Sequence, residues 1–548
     1  MTKTVDDQHT DLINKREDGP RKVACASGCP PVRMVLTVTF ARDPHHSLHV
    51  QSNGKLDSRH IGRTNSISGV NVVKAVFGGY VLRVVRCIAS ATLVSSVLLL
   101  FGCGGGTSSQ NPNPQPNTTS LQVNIGDGPS DRLVAVSMTL ASMTLANASG
   151  SSVTVVSSPT TVEMTHLMAT MQPISLMKVP QGTYSGATVN ISSAMVMYMD
   201  PSAGQLVQKT VSGPMSAVVS FSPSLTVGNS PMVLNLDMNM ASSVSIDGAG
   251  NVSMTPTMVA SMNPGGIGNW HDPENGGMEH MTGTVKSFSG NSFTMSMMQD
   301  SQDVPISTDS NTLFEGMGGM GGMSNGMIVM VDAAMQPDGS FMAHTVESVM
   351  SMSGGSMAGG LVTSTTGNPV TQLTLVMHEG AGTGMTGSNL AGTATVDVSP
   401  TATFNIDSDN VDMSNLPFTP VFDGSTLLKG QRVEAVSSTG MMQGGGMGGM
   451  MGGGTITASE IDLEQQGLSG TVSGYTGSGT PTTFTLTVAA DSAFATLTGR
   501  TTITVFLQPG TELRGMTTIT DGSTVHARGL LFLDAGTYKL VAGRIMAP

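Results

Sequence analysis

From residue 121 onward the chain alternates apolar and polar residues, and a period of two is the mark of a strand, not of a helix. Residues 121–125 (LQVNI), 134–140 (VAVSMTL), 187–191 (ATVNI) and 482–488 (TTFTLTV) all follow it. Gly, Asn, Asp and Pro punctuate these runs at turn-like intervals. No amphipathic stretch of three helical turns interrupts them. The 68 glycines among 548 residues argue the same way, because Gly in a helix interior costs about 1 kcal/mol relative to Ala. Charged residues make up only 11% of the chain, too few for charge-driven disorder. The expected fold class is all-β: an N-terminal β-sandwich, then about three small OB-like β-barrel repeats with Gly/Met-rich loops.

Charge divides the chain. Residues 1–103 carry 13 basic and 7 acidic residues, and the remainder carries 11 and 30. So acidic a body repels phosphate backbones, and no nucleic-acid partner is expected. The cysteines divide with it: Cys25, Cys29, Cys87 and Cys103 all precede residue 104, so the main body cannot hold a disulfide.

Arg83 and Arg86 lead into an apolar run, residues 88–101, that ends at Gly102 and Cys103. A basic flank, a short apolar core and a small residue before the cut make a secretory signal. The run is short for a membrane span, which needs about 20 residues. Leu100, Phe101, Gly102 and Cys103 resemble the bacterial lipobox, with Phe101 bulkier than the usual residue. That resemblance implies lipidation of Cys103 and an anchor in the cell envelope. Gly104 stands where an Asp would retain such a protein at the inner membrane, so the outer membrane or cell surface of a bacterium is expected. Residues 104–119 read as a flexible polar tether. Residues 1–72 are polar and aperiodic, as in a non-structural leader or a mis-called start, with the signal at 73–103.

Residues 120–258 read as one sandwich. Asp127, Gly128 and Pro129 follow its first strand, and residues 178–184 (KVPQGTY) precede another. Residues 234–238 (LNLDM), 241–244 (ASSV) and 254–256 (MTP) come later. Together they resemble the domain of unknown function 4382 family, β-sandwiches of bacterial lipoproteins. Residues 259–281 read as a linker. Three repeats follow, at 282–350, 359–465 and 467–548, the second with insertions. Each opens on Gly-x-Val at Gly283, Gly360 and Gly470, has a Thr-rich point at Thr312, Thr401 and Thr511, and continues into a Gly-led strand at Gly326, Gly430 and Gly522. The repeats resemble the domain of unknown function 5666 family, whose units look like five-stranded OB-like barrels; closure of that kind leaves no exposed edge.

Methionine is the compositional oddity, at 43 residues. Gly/Met tracts at 316–323 and 440–451 read as mobile surface loops. Thioethers favour Cu(I). In that reading Trp270, His271, Met278, His280 and Met281 converge on a soft ion, with Met317, Met320 and Met323 from the first tract and Met447, Met450 and Met451 from the second. The competing reading makes Met an adaptable strand hydrophobe. Asp407, Asp409 and Asp412 suggest a Ca²⁺ loop, but it lacks the Gly and terminal Glu of an EF-hand. Gly322, Ser324 and Gly326 fit a nucleophile elbow, and Gly316, Gly318 and Gly321 a dinucleotide fingerprint; neither has the strand–turn–helix it needs.

No catalytic residue is expected, and no cofactor besides Cu(I). His166, His271, His280, His344, His378 and His526 are spread over the modules, and none neighbours a nucleophile in sequence. The expected function is non-enzymatic: an envelope protein that is structural or binds a ligand or protein partner. Soft-metal binding is the first alternative. Glycan binding, by analogy with OB faces, or envelope hydrolysis is the second.

Overall fold

The computed structural model describes residues 36–42, 48–54, 117–128, 130–297, 303–350, 355–382, 390–408, 411–439, 454–479 and 481–547. Contacts divide the chain into two units, 1–111 and 112–548. In the first, Leu36–Arg42 pairs antiparallel with Leu48–Gly54. This hairpin lies inside the segment expected to lack structure. Its first strand, LTVTFAR, itself alternates. Cys103 and the signal segment lie outside the described residues.

The second unit is all-β, as its periodicity requires. Its sandwich packs two sheets face to face. One has the strand order Met258–Pro264, Met232–Asn239, Thr118–Gly128, Met171–Pro180, with the middle pair parallel. The other orders Ser152–Val156, Leu133–Asn147, Gly182–Asp200 and Gln205–Val227, with Thr160–Glu163 also pairing the second of these. Leu121, Val123 and Ile125 face Leu140, Val189 and Ile191 in one buried core. Met138, Met143 and Met164 are fully buried there, so Met does stand in for Val and Ile.

Three rings of strands follow, with one topology. In barrel 1 the ring runs Gly277–Ser289, Ser292–Met297, Asp303–Ser307, Phe341–Met350, Ile328–Met335. A short parallel pairing of Ile306 with Phe341 and Ser307 with Met342 closes it. Barrel 2 closes through Ser356–Gly367, Val370–Gly382, Thr393–Ile406, Thr455–Glu464 and Arg432–Ser437. Barrel 3 closes through Gln466–Ser473, Thr482–Thr487, Thr502–Arg514, Thr537–Met546 and Thr524–Asp534. In each, the third strand in sequence pairs in parallel with the last.

The repeated sequence marks have physical causes. Gly326, Gly430 and Gly522 adopt φ of 86°, 86° and 84°, a left-handed turn that only Gly enters without penalty. Each donates its N–H to the Val of its own Gly-x-Val: Val285, Val362 and Val472, at 2.8 Å in all three cases. The Gly before that Val sits against the second strand. A Cβ on Gly360 would lie 2.0 Å from the Val376 carbonyl, and one on Gly470 2.5 Å from that of Thr487.

Docking between modules positions the site. Gln122, Asn124 and Asn235 sit on the sandwich face away from its core, yet are buried. Their amides donate to carbonyls of the linker turn: Asn124 to Pro273 at 2.6 Å, Asn235 to Glu274 at 3.0 Å, Gln122 to Gly277 at 3.3 Å. Barrel 3 holds the other side of that turn. Arg514 pairs with Asp272 and Glu274, both at 3.1 Å. Arg544 donates to the Ala169 carbonyl at 2.8 Å and the His271 carbonyl at 2.7 Å. Barrel 2 meets the sandwich through His378, whose Nε2 donates to the Val134 carbonyl at 3.0 Å.

Candidate functional site

These contacts enclose a cavity of about 660 Å³, walled by the sandwich, the linker and all three barrels. In a chain so poor in charge, its lining is charged to an unusual degree.

Glu163 and His166 come from the sandwich. Glu163 is fully buried, and its carboxylate accepts from the backbone N–H of Val136 (2.8 Å), Thr165 (3.0 Å) and His166 (3.0 Å). The Thr165 hydroxyl (2.7 Å) and His166 Nδ1 (2.9 Å) complete the set. Burial works against its charge. The neighbouring His378 and His166 and these hydrogen bonds outweigh that, and hold its carboxyl down to about 2. His378 is itself buried, which pushes its imidazole down toward the neutral form.

Barrel 2 supplies the most charge. Arg432, which is buried, donates to the carboxylate of Glu379, which is partly buried. Burial opposes the Glu379 charge, but Arg432 beside it holds that carboxyl below its usual range. Glu434 and Glu464 lie on the same wall, 5% and 9% exposed. Neither carboxyl has a hydrogen-bond or ion-pair partner among the described residues. Burial and mutual repulsion push both up: Glu434 through Glu464, and Glu464 through Asp407.

Barrel 3 contributes Arg528 and Arg544. Arg544 is committed to Glu512 (2.9 Å) and to the two carbonyls named above. Arg528 makes one side-chain hydrogen bond, to the His166 carbonyl at 3.1 Å, and has no carboxylate partner among the described residues. Burial and the neighbouring Arg432 lower it to about 10.

Barrel 1 contributes Glu279 and His280 through a break in its ladder. Met278 pairs with Ala333 and Met281 with Val331, so residues 279 and 280 bulge out between them. His280 takes φ 53° and its backbone N–H donates to Asp332 at 2.8 Å. The bulge re-aims side chains, a common device next to sites. His280 Nδ1 lies 3.6 Å from the Asp407 carboxylate. Burial lowers its pKa, but Asp407, Asp332 and Glu464 raise it to about 10. One ligand atom each from His280, Asp407 and Glu464 lies within 4.8 Å of the others.

The soft-metal candidates are distributed differently from the sequence expectation. Met278 and Met281 pack in the barrel 1 core, at 0% and 2% exposure, with Met281 also reaching the cavity lining, while His280 faces Asp407. Trp270 stacks on His344 at a centroid distance of 4.7 Å and meets His271 in a tilted contact at 3.4 Å. His271 Nδ1 faces Glu279 at 3.8 Å. The first Gly/Met tract, expected to be a mobile loop, forms a 3₁₀ turn at Gly319–Gly322. Met317, Met320 and Met323 pack from it onto the barrel 1 core, because thioethers there find apolar neighbours. Met447, Met450 and Met451 lie outside the described residues. Asp407, read as a Ca²⁺ loop residue, faces His280; Asp409 lies outside the described residues, and Asp412 caps its own turn through the Ser414 N–H at 2.8 Å.

Sequence reasoning missed Glu163, Glu434, Glu464, Arg528 and Arg544. Their one signal was charge inside alternating strands of a chain with so little of it.

The fold and this cavity define the class: an all-β protein of one sandwich and three OB-like repeats around an inter-domain pocket. Residues 282–347, within barrel 1, match the family described as Domain of unknown function (DUF5666). No curated protein matches the chain. Among solved structures it is similar to "drosophila Unr CSD456", with 12% identity over 48% of this chain and 94% of that one and a TM-score of 0.11. It is also similar to a multidomain protein with nucleic acid binding domains from Streptococcus pneumoniae, with 12% identity over 48% and 72% and a TM-score of 0.10. At these TM-scores neither likeness bears on fold or partner.

Proposed function

We propose that this chain is a non-enzymatic binding protein of the bacterial cell envelope, anchored by lipid on Cys103, that captures a small polar ligand in the inter-domain cavity. The lipobox resemblance and the likeness of residues 120–258 to the domain of unknown function 4382 family support the envelope reading. The observation that carries the binding reading is the set of charges the cavity leaves unanswered. Among the described residues, Arg528 faces it from one wall without a carboxylate ion pair, and Glu434 and Glu464 face it from another without a hydrogen-bond or ion-pair partner. A buried ionisable group without a partner costs free energy, whether it keeps its charge, as Arg528 does, or is pushed toward its neutral form, as Glu434 and Glu464 are, and a complementary ligand recovers that cost. The volume lies in the usual range for small-molecule sites, about 300–1,000 Å³.

The ligand therefore carries a positive centre toward barrel 2 and an acceptor toward Arg528. No Trp, Tyr or Phe lines the cavity among its described residues, which disfavours a stacked glycan. The test is a thermal-shift screen of the full chain against amino acids, polyamines, divalent cations and sugars. A charged hit that raises the melting temperature, and loses its effect in Arg528→Gln or Glu434→Gln, supports the reading. Hits confined to neutral sugars, or indifferent to both substitutions, overturn it.

A further inference from the structure

We propose that His280, Asp407 and Glu464 hold a divalent first-row transition-metal ion at the edge of the cavity where barrels 1 and 2 meet. This rests on the reading of the cavity as a binding site and names one occupant of it.

Three elements converge. His280 stands on the bulge of barrel 1, fixed by its backbone bond to Asp332 at 2.8 Å. Glu464 is the last residue of Thr455–Glu464 in barrel 2. Asp407 follows Thr393–Ile406, and its N–H donates to the Leu463 carbonyl at 3.1 Å, which seats it beside Glu464. The three ligand atoms lie within 4.8 Å of one another. Metal–ligand bonds of about 2.0–2.2 Å separate neighbouring donors by roughly 3–4 Å. Small side-chain rotations close the difference.

A second observation points to a ligand independently of that spacing. The Glu464 carboxyl is 9% exposed, lines the cavity, and makes no hydrogen bond or ion pair among the described residues. Buried polar groups in folded proteins have partners, and an exception calls for an explanation such as an ion. The acidic surroundings agree: Glu434 lies on the same wall and Asp332 behind His280.

The donor set selects the ion. One imidazole and two carboxylates suit Zn²⁺, Mn²⁺ or Fe²⁺. Cu(I) prefers thioethers to carboxylates, and Ca²⁺ prefers six to eight oxygens. Three protein ligands leave coordination positions on the cavity side for water or for an acceptor group of the cavity's ligand.

The experiment uses the full chain, stripped with EDTA and titrated with Zn²⁺, and in parallel with Mn²⁺, against a chromophoric chelator. The expected result is a single ion per chain. Glu464→Gln and Asp407→Asn, nearly isosteric, should each weaken it by roughly a hundredfold or more, the most that loss of a supporting contact alone would cost. Met317→Leu with Met320→Leu should leave it unchanged. Unaltered near-ultraviolet circular dichroism and Trp270 emission certify that each variant is folded. X-ray absorption at the zinc edge should show only nitrogen and oxygen neighbours. Absence of stoichiometric binding, binding that survives Glu464→Gln, or sulfur in the absorption spectrum would overturn the assignment. If the metal fails while a charged organic hit still depends on Arg528, the metal site falls and the cavity reading stands.

Discussion

Glu163→Gln removes one charge from the sandwich wall of the cavity and almost no volume. The native carboxylate accepts five hydrogen bonds, three of them from backbone N–H groups. An amide can keep its oxygen toward Val136 and Thr165, but its NH₂ then faces the His166 N–H, donor against donor. The carboxyl sits at about 2 against an ordinary 4.5. At about 1.4 kcal/mol per pH unit, that favours the charged form by about 3 kcal/mol at neutral pH. Gln resembles the protonated form, so the variant should lose about 3 kcal/mol of sandwich stability, near 1 M in urea midpoint for a slope of about 3 kcal/mol/M. Because the folded pKa is depressed, the contribution is complete above the ordinary 4.5 and fades as pH falls toward about 2. The titratable groups facing Glu163 are His166, His378, Asp127 and Arg432. Urea unfolding of the full chain and hydrogen exchange at Val136 and His166 should show a wide gap between wild type and variant at neutral pH. The gap should narrow through the acid range. Equal midpoints at neutral pH, or a gap unchanged on acidification to about pH 3, would refute the reasoning.

Three further outcomes follow from the same structure. Gly360→Ala forces a Cβ to within 2.0 Å of the Val376 carbonyl and should destabilise barrel 2 by about 1–3 kcal/mol or more, read as faster proteolysis within residues 356–464. Arg544→Met strips the guanidinium, 8% exposed, from Glu512, Ala169 and His271; the loss should be about 3–5 kcal/mol, with a shift in Trp270 emission as the linker turn loosens. Cys103→Ser should move the protein from the membrane fraction to the soluble one, and retention in the membrane would remove the lipid anchor from the account.

What the sequence could show depended on whether a feature was local. The alternation in residues 121–125, the left-handed Gly430 and the close approach of Gly360 are needs of one strand or one turn, so each leaves a mark in its own neighbourhood. The cavity is made by docking, and docking inverts the local signal. Gln122 and Asn124 alternate with core residues and read as a solvent face, yet are buried against residues 273–277. Arg432 stands in barrel 2, and Arg528 and Arg544 stand on two paired strands of barrel 3; no short motif groups the three, and docking of the barrels brings them to one cavity. His280 and Asp407 were each singled out, for two different ions, and only the bulge at residues 279–280 brings them together. Glu464, at the end of an alternating strand, carried no mark beyond its charge. The first Gly/Met tract misled in the opposite sense: Gly-rich sequence suggested mobility, but its thioethers anchor it to barrel 1.

The central claim is that this chain binds its ligand between the sandwich and the barrels. Its most direct test is diffraction from crystals of the protein purified from its own membrane with nothing added. The account predicts non-protein density in the cavity, between Glu434 and Glu464 on one side and Arg528 on the other. A cavity holding only water, with a bound species at the Gly/Met tracts instead, would contradict it.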